Sequence, residues 1–349
     1  MRRIVGIVLV IASLMGACRS SAQEPAEALP TESATATPSH VFLPTVMSEQ
    51  ATRSDGAQRL TTPPSGASDQ NPAFSPDGRF LAFTRFENGY NIGPAGIFRL
   101  DLSGGEIVRL TPEEDQDNVN LPGSAWSAVH DRIVFASDRA ESDDLWQIAP
   151  DGTGFTRITT HHGPPWYIEP SWSPDGAWIV FEADAARPDD RQQGSIWKVR
   201  ADGTGLTILT DGPAEGVDDR QPNWSPTGER ILFQRRDPGS DDWDIYTIAP
   251  DGSDLRLVTD QASSDTDASW SPDGRYIVYS SDYGDLPTPN IFVIPAEGGT
   301  PIRVTFNGTH EDGAPSWSPD GRFIVFESHP GEDEDTPSSL WRIAVPPLE

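Results

Sequence analysis

Acidic side chains recur in this chain at fixed distances from an aromatic residue that is followed by Ser. Five positions before Phe74, Trp126, Trp172, Trp224, Trp270 and Trp317 stand Asp69, Leu121, Tyr167, Asp219, Asp265 and Asp312; two positions later come Asn71, Gly123, Glu169, Gln221, Asp267 and Ala314. Carboxylates repeated in register fit one of two roles. Gathered around an opening, they form an oxygen-rich rim for a hard cation or a basic peptide; Ca²⁺ suits such flexible oxygen ligands, with Asp69, Asp219, Asp265 and Asp312 leading and Glu169 and Asp267 behind them. Kept apart, each Asp caps its own turn in solvent. His161 and His162 share a loop and His310 and His329 lie far along the chain, a spacing that reads as solvated loop residues. Trp166 and Tyr167 offer rings on which a sugar or a peptide side chain could stack, or else they pack their loop. The nucleophile elbow, the phosphate loop and the His-Glu-x-x-His pair are all missing.

The whole-chain chemistry narrows the partners. Against 54 Asp and Glu there are 25 Lys and Arg, a formal net charge of -29 over 349 residues. Such a balance opposes the counterion release that drives nucleic-acid binding and repels anionic headgroups. One Cys excludes an internal disulfide framework and a Cys-rich zinc site, so stability must come from packing.

The elements that position the acidic series are repeats. The string PAFSPDGRFLAF, beginning at Pro72, returns as SAWSAVHDRIVF, PSWSPDGAWIVF, PNWSPTGERILF, ASWSPDGRYIVY and PSWSPDGRFIVF. The aromatic anchors lie 52, 46, 52, 46 and 47 residues apart, the period of a four-stranded propeller blade. In each copy the anchor ends a short strand, and Ser-Pro-Asp-Gly turns the chain with Pro at the first corner and Gly for positive φ. A second strand carries Phe83, Phe135, Phe181, Phe233, Tyr279 or Phe326, nine residues after its anchor, and a third carries Phe98, Trp146, Trp197, Tyr246, Phe292 or Trp341. Twelve residues further on, an aliphatic residue before Thr marks a fourth strand in the first five copies, as in Leu110-Thr111 and Val304-Thr305. The sixth copy stops after its third strand, while Gln58-Arg59-Leu60-Thr61 stands before the first as an orphan fourth strand. The expected fold is therefore all-β: a six-bladed β-propeller of four-stranded antiparallel blades over residues 58–349, closed by the N-terminal strand and leaving no room for a C-terminal catalytic domain. The aromatic series are expected in the core between blades.

Antiparallel strands place the two near-constant turns of each blade on one face and the two variable connections on the other. By these boundaries the variable face takes more than half of the acidic residues, and variable loops on a rigid ring are where binding specificity is built.

The N-terminus reads as an export signal. Arg2 and Arg3 precede an apolar run from Ile4 to Met15, too short to span a membrane, followed by Gly16, Ala17 and Cys18. Residues 18–57, rich in Ala, Ser, Thr, Pro and Glu, read as a flexible tether that cannot bury enough surface to order itself.

Two resemblances add to this reading. Leu14-Met15-Gly16-Ala17-Cys18 resembles the lipobox of bacterial lipoproteins, which implies a signal peptide over 1–17 and acylation of Cys18, with several chains giving firm anchorage. The Pro-x-Trp-Ser-Pro-Asp-Gly repeats with their downstream Leu-Thr resemble the six-bladed propellers of the TolB-like family over about residues 58 to 345. The family implies an extracytoplasmic propeller, lipid-anchored here to a bacterial membrane in the periplasm or at the cell surface. It would bind an envelope protein, peptide or glycan through the variable face, without catalysis and without nucleic acid. The rival expectation is a metal-dependent polysaccharide lyase or other propeller enzyme using Asp or His in the channel; lyases similar to this family hold a metal with channel histidines. The peptidases with related propellers carry their triad on a separate domain.

Overall fold

The computed structural model describes residues 51–348, apart from 113–118, 121–124, 141, 187–191 and 332–335. Cys18, the apolar run and most of the tether lie outside the described residues, as do Leu121 and Gly123.

Six antiparallel sheets form the six blades. Blade 1 comprises Ser68–Phe74, Phe80–Phe86, Ala95–Asp101 and Ile107–Arg109. Blades 3 to 5 repeat the order, beginning with the inner strands Trp166–Trp172, Asp218–Trp224 and Asp265–Trp270. Blade 2 has its inner strand in two pieces, Val119–Asn120 and Trp126–Ser127. The second-strand aromatics are buried in every blade, Phe83, Phe135, Phe181, Phe233, Tyr279 and Phe326 all at 0% exposure. Each contributes about 1.5 to 3 kcal/mol on burial to the cohesion between the sheets.

The recurrent Thr has a definite task. Its Oγ1 accepts the backbone N–H of a third-strand residue: Thr111 from Ile97, Thr159 from Leu145, Thr210 from Ile196, Thr259 from Ile245 and Thr305 from Ile291, at 2.9 to 3.2 Å. Fourth strands of only two or three residues are held in place this way. The Ser-Pro-Asp-Gly segments are turns, as their repetition requires: Ser75, Ser173, Ser271 and Ser318 each donate to the Asp two residues on at 2.6 to 2.7 Å. Asp-Gly between third and fourth strands needs its glycine twice over. Gly152 and Gly252 have φ of 82° and 85°, and a Cβ there would stand 3.1 and 3.2 Å from the carbonyl oxygens of Leu110 and Leu209 in the preceding blade.

Ring closure follows the orphan strand. Gln58–Arg59 pairs antiparallel with Ser339–Ala344, Gln58 opposite Arg342 and Arg59 opposite Trp341. Leu60 N–H then donates to Leu340 O at 2.7 Å, and Thr61 Oγ1 accepts Leu340 N–H at 3.0 Å, the same clasp as in the five continuous blades. The propeller also extends further toward the N-terminus than residue 58. Thr52 bridges Gln58, Ala57 is 0% exposed, and Ala51 packs against the buried cluster that includes Trp317 and Trp341. Arg53 reaches Asp312 in blade 6 with both terminal nitrogens, at 2.8 Å each, and lies 5.4 Å over the rings of Phe326 and Trp341. Composition assigned residues 51–57 to the tether; this hairpin and its half-buried guanidinium make them part of the ring. On the fixed-turn face of the seam they close, a crevice of about 480 Å³ lined by Leu60, Phe74, Leu102, Phe323 and Val325 remains.

Replacing Arg53 by Gln leaves Asp312, 0% exposed, as a buried carboxylate without its counter-charge. Arg53→Gln should lower stability by about 3 to 5 kcal/mol. Arg322→Gln, which breaks an exposed pair with Asp320, should cost less than about 1 kcal/mol. Denaturant unfolding of the two variants checks this; equal losses contradict the Arg53 latch.

Candidate functional site

The two acidic series, adjacent in sequence, have separate fates. Asp69, Asp219 and Asp312 are 0% exposed, and each is bound inside the ring by an arginine. Arg85 meets Asp69 with Nε at 2.5 Å and Nη2 at 2.9 Å, and Arg235 meets Asp219 at 2.6 and 2.8 Å. These partners stand directly across the blade, Asp69 opposite Arg85 and Asp219 opposite Arg235. Each guanidinium also lies over the second- and third-strand rings: Arg85 over Phe83 and Phe98, Arg235 over Phe233 and Tyr246. Asp265 sits in the same place in blade 5 but is held by Ser281 and Ser263 at 2.5 and 3.0 Å. The four leading residues of the calcium reading thus have bonds within their own blades and do not converge. Among the described residues no three His, Cys, Asp or Glu side chains gather as a metal site requires. The turn-cap alternative also needs amending, because these carboxylates are buried ion-pair or hydroxyl acceptors and not solvated caps.

The second series does line the channel. Asn71, Glu169, Gln221, Asp267 and Ala314 surround a small axial cavity of about 30 Å³. All five have positive φ, between 44° and 54°, at a bulge between the inner and second strands. Non-glycine residues adopt this conformation only when the surroundings enforce it. Here the bulge aims the N–H groups of Asn71, Gln221 and Asp267 at the preceding blade. Asn71 N–H donates to Glu327 Oε2 at 2.9 Å, Gln221 N–H to Glu182 Oε2 at 3.1 Å, and Asp267 N–H to Gln234 Oε1 at 3.0 Å. The acceptors stand ten residues after their anchors, immediately after the buried second-strand aromatic. That polar position was legible in the repeats, and sequence reasoning passed over it.

Burial governs the charge of these acceptors. It pushes Glu327 up to about 7, against hydrogen bonds from Tyr90 and Asn71, with Asp267 adding to the rise. It raises Glu182 well above the carboxylate range against the attraction of Arg220, with Asp184 and Glu169 adding to the rise, and it raises Asp267 as well. Burial thus favours the protonated form at Glu327, Glu182 and Asp267 along the axis.

The remaining candidates are scattered. His161 Nδ1 bonds Asp144 at 2.9 Å and its ring stacks on Tyr167 at 4.1 Å, whereas His329 packs on Tyr90 at 4.7 Å in blade 6. Tyr167 is 6% exposed between Phe181 and Trp197, so its ring is covered and unavailable for stacking on a ligand; Trp166 is only half-buried. The six anchor aromatics, besides packing between blades, ring a hollow of about 280 Å³ on the fixed-turn face.

With this geometry in place, the comparisons define the class. The chain belongs to the family of the TolB beta propeller domain, whose model matches residues 54–243 and 221–336. Among curated relatives, the uncharacterized protein Atu1656 of Agrobacterium fabrum is 28% identical over 216 residues, 59% of this chain and 67% of that protein. A Protein TolB homolog of Chlorobium luteolum is 30% identical over 190 residues, covering 51% of this chain and 37% of that protein. Among solved structures, a putative TolB from Agrobacterium tumefaciens superposes with a TM-score of 0.58 at 22% identity, covering 82% of this chain and 93% of that one. An oligogalacturonate lyase from Vibrio parahaemolyticus gives 0.54 at 16% identity, over 85% and 96%. These structural likenesses concern the fold, which binding proteins and enzymes share.

The axial carboxyls set a pH dependence. Glu327 titrates above its ordinary 4.5 in the folded protein, so its contribution is fully present below that value and is lost as pH rises through about 7. Glu327→Gln keeps an acceptor for Asn71 N–H and removes the charge. Its unfolding free energy should gain on the wild type between pH 5 and 7, by up to roughly 1.4 kcal/mol per pH unit, and then level off. Parallel profiles for the two proteins contradict the raised Glu327 carboxyl.

Proposed function

We propose that this propeller is a binding scaffold, held at a bacterial membrane through acylated Cys18, which takes an envelope protein, peptide or glycan on its variable-loop face and catalyses no reaction. The observation that carries the reading is the difference between the faces. On the fixed-turn face the repeated Ser and Asp side chains close their own turns: hydrogen bonds from Ser318 and the Arg322 N–H hold Asp320 down at about 2. The other face carries connections of unequal length, half-buried Trp166, exposed His162 and a surplus of acidic residues. Membership in the TolB propeller family supports the same assignment. The dispersal of the histidines and of the buried Asp residues weighs against a lyase centre.

The face assignment is tested by recovering partners with the intact protein from its own envelope. Trp166→Ala combined with His162→Ala should lose the captured partner, and Val129→Ser, on an exposed fixed turn, should retain it. Loss through Val129→Ser alone contradicts the assignment. For the anchor, Cys18→Ser should move the protein out of the membrane fraction or leave it as uncleaved precursor; a processed variant that still partitions with detergent contradicts acylation.

A further inference from the structure

Blade 6 completes its buried carboxylate with an arginine from outside the blade, and blade 5 has the same surroundings without the arginine. In blade 6, Asp312 accepts from Ser328 Oγ at 2.6 Å on Oδ1 and receives the Arg53 guanidinium, 259 residues away in sequence, over the Phe326 and Trp341 rings. In blade 5, Asp265 stands opposite Ser281 and accepts from its Oγ at 2.5 Å, also on Oδ1. The two rings are there as well: Tyr279 and Phe292 lie 6.1 Å apart at 32°, close to the 6.1 Å and 23° of Phe233 and Tyr246 under Arg235. What blade 5 lacks is the cation. Asp265 is 1% exposed, and its Oδ2, the oxygen that takes an arginine nitrogen in blades 1, 4 and 6, has no hydrogen-bond partner.

We propose that blade 5 holds a receptor slot for a guanidinium group, presented by an arginine of a partner protein, with Asp265 as its carboxylate and Tyr279 and Phe292 as its aromatic floor. A buried acceptor without a donor costs free energy that a charge-assisted bond recovers, and guanidinium is the cation that combines a planar fork with stacking on rings. The surroundings are acidic as well. Burial raises Asp265 to about 6, against the hydroxyls of Ser281, Thr259 and Ser263, and burial and Asp265 raise Asp244 to about 6. Half-buried Tyr283 stands edge-on to Phe292, ring centroids 5.9 Å apart at 83°, and is the side chain an incoming guanidinium displaces. The residues lie at the loop end of blade 5, so the inference rests on the variable-face reading for the nature of the partner. The slot is tested by itself with small probes.

The test follows the melting temperature of the full-length protein titrated with agmatine and with N-acetyl-arginine amide. Both should give a saturable rise of similar size, and n-butylamine a smaller one. Tyr283→Ala should shift the half-saturation point to lower probe concentration. Asp265→Asn should abolish the response. Ser281→Arg places an arginine sixteen residues after the Asp, as in Asp69 with Arg85, and should raise the melting temperature without probe while abolishing the response to it. A rise unchanged in Asp265→Asn, no rise in both the wild type and Tyr283→Ala, or a Ser281→Arg protein less stable than wild type overturns the slot. If Asp265→Asn does not fold, Ser281→Arg decides. Any of these results leaves the partner-recovery comparison of the two faces standing as a separate test.

Discussion

A ring of blades has one constraint that a single blade does not: the last sheet must meet the first without leaving an open edge. The third strand of blade 6, Ser339–Ala344, would expose a row of unpaired backbone groups, the feature that invites aggregation in edge strands. Gln58–Arg59 and the two residues after it supply the missing strand and the Thr clasp, and Arg53 adds a buried charge pair to Asp312. The rest of the architecture depends on this join. The bulged N–H groups of Asn71, Gln221 and Asp267 reach acceptors in the preceding blade, so the bond between Asn71 and Glu327 exists only if blade 6 stands beside blade 1.

Within the closed ring, one unit of carboxylate, guanidinium and two aromatic rings is reused with different suppliers. Blades 1 and 4 take their arginine from the opposite position of the second strand, and blade 6 takes it from the segment before the first blade. Blade 3 dispenses with the pair by placing the Tyr167 ring against Phe181 and Trp197. A buried pair of this kind gives little net stability over an apolar replacement, and breaking it by removing one partner is costly. That asymmetry is why the blade 5 carboxylate, left without a cation, is informative about a partner whereas its counterparts are informative about folding.

The fold was readable because its information is local and repeated: anchor, turn, second-strand aromatic and the aliphatic-Thr pair each lie within a few residues of the next. The strand count at the two ends was enough to place Leu60-Thr61 on blade 6. The site was only partly readable. Spacing found Asp69, Asp219, Asp265 and Asp312, but their role is fixed by the residue sixteen positions later, across the blade, and for Asp312 by Arg53 in a segment whose composition says tether. Sequence alternation likewise could not show that a bulge separates the two acidic series, turning Asn71, Glu169, Gln221, Asp267 and Ala314 to the axis. The axial acceptors Glu182, Gln234 and Glu327 are polar residues in otherwise apolar strands, a signal that repetition partly disguised.

The central claim is that residues 53–61 close the six blades into one cooperative unit, and native-state hydrogen exchange tests it most directly. Leu340 N–H bonds Thr61 Oγ1 across the closure, and Ile196 N–H bonds Thr210 Oγ1 within continuous blade 3. Under native conditions both amides should exchange only through global unfolding, with the same opening free energy. Exchange of Leu340 through a local opening of much lower free energy, with Ile196 still protected, would contradict the closure.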